Sequence, residues 1–155
     1  MRLYLIRHGD AVGAEVDPER PLSTRGERDV SRVAAFLAPM KLEVSEVWQS
    51  TKTRAQQTAK ILKGVLASPV EPVERTDLGP GSPVVPVAEE ICAMDKDVML
   101  VGHLPFVGRL ASLLILGSDG LDCLAFHAGS VACIGRAPDG SWYLEWMITP
   151  EVAGG

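Results

Sequence analysis

Cysteine is scarce in this sequence, and the few thiols show no pairing pattern. Cys92, Cys123 and Cys133 are odd in number, and no two of them have the C-x-x-C spacing of a zinc ribbon. Disulfide-stabilised secreted proteins and structural zinc sites both need cysteines in regular pairs. We therefore expect reduced thiols and a cytoplasmic location.

Positive charge is also in deficit, because 15 lysines and arginines face 20 aspartates and glutamates, for a net charge of −5. The basic residues form no runs, and aromatic residues make up only 5% of the chain. Nucleic acids and anionic membranes are bound by clustered positive charge, so neither class of partner is expected. The first apolar run, at 3–6, is far too short for a signal peptide or a membrane span.

The chain is nonetheless long and apolar enough to fold around a core. Its 155 residues are 46% hydrophobic, and a domain of this size removes roughly two-thirds of its unfolded surface from water. No repeat, linker or low-complexity segment divides the sequence. We expect one domain over residues 1–155.

Hydrophobic spacing predicts alternating strands and helices. Strands are predicted at 3–6, 46–49, 70–74, 98–101, 121–126, 130–136 and 142–147. Helices are predicted over 24–38, 55–66, 84–91 and 105–114, the first beginning at a capping box of Thr24 and Glu27. This alternation is typical of a three-layer α/β sandwich, with a largely parallel central sheet and helices on both faces.

Polar residues follow three of the predicted strands. Arg7-His8-Gly9 follows the first, Ser50 and Arg54 follow the second, and His103 follows the fourth. Ligands of open α/β sheets bind beyond the carboxyl ends of the strands. We therefore expect these side chains to converge on one site.

This set of side chains suits a phosphoryl group. Guanidinium groups offer a fixed fork of donors to phosphate oxygens, and a neutral imidazole can attack phosphorus. Nearby positive charge lowers a histidine pKa, so Arg7 and Arg54 are expected to keep His8 neutral. Gly9 would let the backbone approach the ligand, and Ser50 could cap the helix that carries Arg54.

Each of these residues also has a structural interpretation. A single histidine at a strand end is more often a hydrogen-bonded structural residue, and an arginine in a first helical turn is usually solvated. The joint placement at strand ends favours the functional interpretation. His127 lies outside these strand ends, and we interpret it as structural.

Four segments in order carry a more specific signal. They are Arg7-His8-Gly9 within residues 5–11, Arg-Pro-Leu-Ser-Thr-Arg-Gly at 20–26, Ser-Thr-Lys-Thr-Arg-Ala-Gln-Gln-Thr-Ala at 50–59, and Val-Gly-His-Leu-Pro at 101–105. Together they resemble the motifs of the histidine phosphatase superfamily, which has the phosphoglycerate-mutase-like fold. The Gly-Asp-Ala continuation after His8 and the short chain make the resemblance closest to its SixA-type phosphohistidine phosphatases.

The resemblance implies a mechanism and a partner. His8 would be phosphorylated transiently, Arg7, Arg54 and His103 would hold the phosphoryl group, and water would then release phosphate. Neither a metal nor another cofactor is implied, since the cationic groups neutralise the phosphoryl charge. The chain has no spare length for a capping subdomain. An open groove suits a phosphohistidine on a folded protein, such as the phosphotransfer domain of a histidine-kinase relay.

The family pattern also implies an acidic proton donor in the loop after the third strand. The nearest candidate is Asp77, for which a surface loop carboxylate is the structural alternative. A phosphohistidine substrate needs less acid catalysis, because an imidazole protonated at its distal nitrogen can leave as a neutral ring. Arg20 is a further candidate for contact with phosphate or substrate, with a solvated loop residue as its alternative.

Three rival functions remain at this point. The same site could hydrolyse a small phosphate ester, such as a sugar or nucleoside phosphate. It could be a non-catalytic module that binds a phosphorylated partner, although binding alone has no use for a nucleophile. A mutase is the last alternative, and an uncapped site disfavours it because water reaches the phosphoenzyme easily.

Overall fold

A computed structural model describes residues 1–154 of the chain. Its six strands are β1 (Arg2–Arg7), β2 (Glu46–Ser50), β3 (Pro72–Arg75), β4 (Val98–Gly102), β5 (Val131–Arg136) and β6 (Trp142–Ile148). They form one sheet in the order β3-β2-β4-β1-β5-β6. The first four strands of that order pair in parallel, while β5 and β6 are antiparallel to their neighbours.

Four α-helices cover the two faces of the sheet. They are α1 (Thr24–Leu37), α2 (Thr53–Lys63), α3 (Val85–Ala93) and α4 (Phe106–Leu116). Alternate residues of each central strand face opposite layers. Leu3 and Leu5 of β1 pack with α3 and α4, whereas Tyr4 and Ile6 pack with α1 and α2. The predicted three-layer α/β sandwich is confirmed, and no further subdomain is inserted within residues 1–154.

The register of the central strands places their carboxyl ends together. Arg7 at the end of β1 is paired with Gly102 at the end of β4. β2 lies on the other side of β4 and ends at Ser50. The residues that follow these three strands therefore begin at one edge of the sheet, as the sequence predicts.

One predicted strand is wrong. Residues 121–126 form no strand and belong to an irregular segment between α4 and β5. Both edges of β1 are already paired, with β4 and β5, so this segment has no free central edge to join. Leu121 is 61% exposed, while Phe126 turns into the core.

Some predicted boundaries also need correction. The helix cap of α1 is Ser23, whose Oγ accepts a hydrogen bond from the Gly26 amide at 3.0 Å, so Thr24 is the first helical residue instead of the cap. α2 ends at Lys63, three residues before the predicted end, and β3 lies at Pro72–Arg75 instead of 70–74. Within residues 1–154, no helix is both long and apolar enough to cross a membrane.

The start of α1 packs directly on the loop that follows β1. Ser23 donates from its backbone amide to the Asp10 carbonyl at 2.9 Å and from its hydroxyl to the Asp10 carboxylate at 2.6 Å. A Cβ built on Gly26 would lie 2.0 Å from the Asp10 carbonyl oxygen. Only glycine allows this close approach. The contact ties α1 to the loop that begins with His8.

We expect Gly26→Ala to lower the free energy of unfolding by about 1–3 kcal/mol, because the added methyl group meets backbone that must shift. Urea unfolding at neutral pH measures the change. Gly81→Ala is the matched control, since a Cβ at Gly81 has nothing within 4 Å. Equal unfolding midpoints for the two variants would contradict the close packing of α1 on the loop.

Candidate active site

His8 is oriented by one hydrogen bond on each ring nitrogen. Its Nδ1 lies 2.6 Å from the Gly9 carbonyl oxygen, which can only accept, so Nδ1 carries the proton. Its Nε2 lies 3.3 Å from the Nε of Arg54, which can only donate. The ring is therefore a neutral tautomer whose Nε2 lone pair faces a guanidinium group.

The surroundings of His8 also oppose its protonation. Burial lowers the pKa of His8 to about 4. The hydrogen bond to the Gly9 carbonyl raises the pKa, but its effect is smaller. The positive charges of Arg54, Arg7 and Arg20 lower it further. The arginine effect predicted from the sequence is present, but desolvation is the larger cause.

Arg54 is held in place by Thr58, a residue that the sequence analysis did not single out. Arg54 lies in the first turn of α2, and the hydroxyl of Thr58 donates to its carbonyl at 2.8 Å. The same hydroxyl accepts the Gly9 amide at 3.1 Å. Thr58 thus connects α2 to the loop after β1. Its position in the motif at 50–59 was the feature of the sequence that could have identified Thr58.

His103 and Ser50 form a buried pair next to His8. The side chain of His103 is only 1% exposed, and its Nε2 lies 2.6 Å from the hydroxyl oxygen of Ser50. The ring centroids of His8 and His103 are 4.9 Å apart at an interplanar angle of 60°. Burial lowers the pKa of His103 to about 3, with smaller contributions from His8 and the nearby cations.

The expected capping role of Ser50 is corrected by the structure. The N-cap of α2 is Lys52. The hydroxyl oxygen of Ser50, two residues upstream, accepts a hydrogen bond from the Lys52 amide at 3.1 Å. Ser50 is fully buried. Its hydroxyl therefore links the start of α2 to His103.

Arg7 is positioned by the irregular segment before β5. Its Nη1 donates to the Phe126 carbonyl at 2.8 Å, and its backbone amide donates to the Ser130 carbonyl at 3.2 Å. The Gly129 amide approaches the carbonyls of both Arg7 and His8 at 3.1 Å. The sequence contains no motif for these contacts. Residues 126–130 therefore complete the site from a distant part of the chain.

Two buried donor positions beside His8 lack protein partners. Within the described residues, neither Nε of Arg7 nor Nδ1 of His103 has a hydrogen-bond partner. A buried polar atom without a partner is costly, so its presence calls for an explanation. A bound oxyanion could satisfy both atoms.

Gly9 and Arg20 each make a contact that the sequence did not predict. A Cβ on Gly9 would lie 2.7 Å from Cγ2 of Val30, so this glycine permits close packing against α1. Arg20 has a left-handed backbone, with φ 46°, and its Nε donates to the Val12 carbonyl at 3.2 Å. Its charge nevertheless lowers the pKa values of His8 and His103. Arg20 is thus close enough to the site to affect both histidines, and its contact with phosphate or substrate stays a prediction.

Asp77 is held in an ion pair with Arg75. Both of its carboxylate oxygens accept from Arg75, at 2.9 and 2.6 Å. Arg75 also bonds Glu90 and lies 4.1 Å from the centroid of the Trp48 ring. The hydrogen bonds from Arg75 hold the pKa of Asp77 below its usual value. Both carboxylate oxygens of Asp77 are therefore occupied by Arg75.

The donor set of the site suits an anion better than a cation. The groups around His8 are arginines, a second histidine and a hydroxyl. Within residues 1–154, no cluster of three or more His, Cys, Asp or Glu side chains could hold a metal ion. Guanidinium groups cannot ligate a metal, because they have no free lone pair. The arrangement combines an unprotonated imidazole nitrogen with donors for a tetrahedral oxyanion.

Comparison with known proteins agrees with this geometry. The model of the histidine phosphatase superfamily (branch 1) matches residues 3–77. The phosphohistidine phosphatase SixA of Escherichia coli is 28% identical over 97% of this chain and 94% of its own length. An uncharacterised protein of Picosynechococcus is 33% identical over 77% of this chain and 76% of its own. The structure of SixA complexed with tungstate has a TM-score of 0.84 at 28% identity, covering 97% of both chains.

We expect the His8 ring to stay neutral, with the proton on Nδ1, from pH 8 down to about pH 5. Its folded pKa of about 4 lies below this range, because burial and neighbouring cations penalise the charged ring. Long-range ¹H–¹⁵N NMR spectra of the ring nitrogens measure both tautomer and charge. The chain has three histidines, so the spectrum of His8→Asn assigns the signal. Titration of that signal near pH 6.5 would contradict the prediction.

Proposed function

Because the chain belongs to the histidine phosphatase superfamily and is a phosphatase of SixA type, we propose that it removes phosphate from phosphohistidine on a protein through a covalent phospho-His8 intermediate. The observation that carries this proposal is the unprotonated Nε2 of His8 beside Arg54 and two unpartnered donors. A nucleophile and an oxyanion site are thereby combined within one cluster.

The first step is attack of the His8 Nε2 lone pair on phosphorus. A bond from Nε2 to phosphorus forms, and the bond between phosphorus and the substrate nitrogen breaks. The electron pair of that bond stays on the substrate imidazole, which leaves as a neutral ring when its distal nitrogen is protonated. The low pKa of His8 keeps the attacking nitrogen unprotonated at neutral pH.

The second step is hydrolysis of the phosphoenzyme. Water attacks phosphorus, the phosphorus–Nε2 bond breaks, and its electron pair returns to His8. Both protons of the water leave on the product as dihydrogen phosphate, and His8 returns to its neutral form with the proton on Nδ1. Both steps proceed through the same cationic surroundings.

Arg7, Arg54 and His103 are proposed to stabilise the transferring phosphoryl group. Arg7 Nε and His103 Nδ1 are buried without partners, and donation from the Ser50 hydroxyl to His103 Nε2 would leave the proton on Nδ1. Preorganised donors of this kind stabilise charge that develops in the transition state. The similar SixA structure is a complex with tungstate, itself a tetrahedral oxyanion, which supports oxyanion binding by this chain.

The state of Asp77 supports phosphohistidine as the substrate. An alkyl phosphate ester must protonate its leaving oxygen, whereas a protonated imidazole needs no further acid. Arg75 keeps Asp77 ionised and engaged on both oxygens. We propose that Asp77 positions Arg75 and that turnover of phosphohistidine does not require it as a proton donor.

A folded protein is the proposed source of the phosphohistidine, with a phosphotransfer domain of a histidine-kinase relay as the type of partner. The E. coli relative is named a phosphohistidine phosphatase, and no subdomain is inserted beside the site within the described residues. The three thiols are free, which is compatible with the proposed cytoplasmic location.

We expect His8→Asn to abolish phosphate release from a histidine-phosphorylated phosphotransfer domain, because the attacking nitrogen is lost. Wild type and variant are compared at equal concentration with a chelator present. Because phosphohistidine is acid-labile, ³²P transfer is analysed on neutral gels without acid treatment. Rapid mixing should also show ³²P on wild-type enzyme and none on His8→Asn.

Full turnover by the variant would exclude the covalent route. Turnover of small esters alone would favour a metabolite phosphatase, and tight binding without turnover would favour a recognition module.

We expect Asp77→Asn to retain phosphohistidine turnover within about threefold of wild type, since a good leaving group needs little acid catalysis. The variant should instead lose stability, because Arg75 loses its ion pair with residue 77 and one of the two hydrogen bonds. Steady-state kinetics and urea unfolding separate these effects. A loss of a hundredfold or more in kcat with unchanged stability would identify Asp77 as the proton donor.

A further inference from the structure

A groove adjoins the proposed active site and shares Arg7 with it. The groove has a volume of about 820 Å³ and lies between the outer side of α1, residues 126–128 and residues 149–151. Arg7 is therefore a wall of this groove as well as a neighbour of His8. His8, Arg54 and His103 do not line the groove, so it can hold a part of the substrate other than the phosphoryl group.

The groove is rich in arginine although the chain as a whole is acidic. Arg25, Arg28 and Arg32 of α1 line it together with Arg7. They face three lining carboxylates, whereas the chain has a net charge of −5. Asp29 lies 3.5 Å from both Arg25 and Arg32. Arg28 is exposed and forms no ion pair within residues 1–154.

Helix stability does not explain Arg25. Arg25 lies in the first turn of α1, where the helix dipole is positive and a cation is unfavourable. The Arg25–Asp29 pair has the cation N-terminal to the anion, which is the less favourable order for an i,i+4 pair. The buried side of the helix is formed by apolar residues and needs no charge. Arg25 and Arg28 thus add positive charge in the first two turns of α1, the end of the helix that packs on the loop after β1.

We propose that this groove docks the phosphorylated substrate protein through an acidic surface next to its phosphohistidine. The inference rests on the proposed function, and it assigns recognition to residues outside the catalytic cluster. The phosphoryl group binds at Arg7, Arg54 and His103, and the acidic surface binds along Arg25, Arg28 and Arg32. Charge complementarity of this kind speeds encounter and fixes register.

The experiment compares two substrates that share a phosphorus–nitrogen bond. One is a phosphotransfer domain phosphorylated on histidine by its kinase, and the other is phosphoramidate, which has no protein surface. The variants are Arg28→Glu and the double variant Arg25→Glu/Arg28→Glu. Lys60→Glu is the matched control, because Lys60 is an exposed cation on α2 that does not line the groove. Arg25 lies in the first turn of α1, where the helix dipole favours glutamate, and Arg28 is exposed, so the fold should be retained.

We expect Arg28→Glu to lower kcat/KM for the phosphoprotein about fivefold, and the double variant more than about tenfold, since electrostatic steering changes association by 10-fold or more. The effect should lie in KM and should shrink as salt is raised. Phosphoramidate turnover and the Lys60→Glu control should match wild type. Arg28→Lys should retain wild-type kinetics.

Each other outcome has a distinct meaning. Equal phosphoprotein kinetics for wild type and both groove variants would overturn the docking site while leaving the proposed function intact. An equal loss with phosphoramidate would place the arginines in catalysis and would also overturn docking. Wild-type enzyme that cleaves phosphoramidate but not the phosphoprotein would instead overturn the protein substrate class on which the docking site rests.

Discussion

The pairing of β1 with β4 is the constraint on which the site depends. Arg7 lies opposite Gly102, and the His8 amide donates to the Gly102 carbonyl at 3.0 Å. This extends the parallel ladder by one residue beyond β1 and brings His8 beside His103, the next residue after β4. A shift of one residue in this register would turn the side chains of β1 to the opposite faces of the sheet. The hydrophobic cores on both faces therefore hold the two histidines in place.

Desolvation then sets the chemistry of the paired histidines. Both rings have pKa values well below the usual value, mainly because they are buried. Cationic neighbours act in the same direction, so the site is positively charged and still contains neutral imidazoles. An oxyanion gains from that charge, while the His8 Nε2 remains unprotonated. Asp77 is the candidate proton donor in the loop after the third strand. Arg75 donates to both of its carboxylate oxygens and holds its pKa below the usual value.

Charge on the outer surface shows a second level of organisation. The chain is acidic overall, yet Arg7 connects the site to a groove with three more arginines on α1. The same helix packs at Gly26 against the loop that begins with His8. One element thus supports the position of the proposed nucleophile and also presents the proposed docking surface.

The sequence by itself determined the layers, the order of most elements and the clustering of His8, Arg54, Ser50 and His103. These features follow from hydrophobic periodicity and from the rule that parallel strands end at one edge, both of which are local in the chain. Only the tertiary structure decided the roles of Thr58, of residues 126–130 and of Arg75, which holds Asp77. It also showed that 121–126 is no strand and that Gly9 packs closely against α1. These outcomes depend on contacts between residues far apart in sequence, and periodicity contains no information about such contacts.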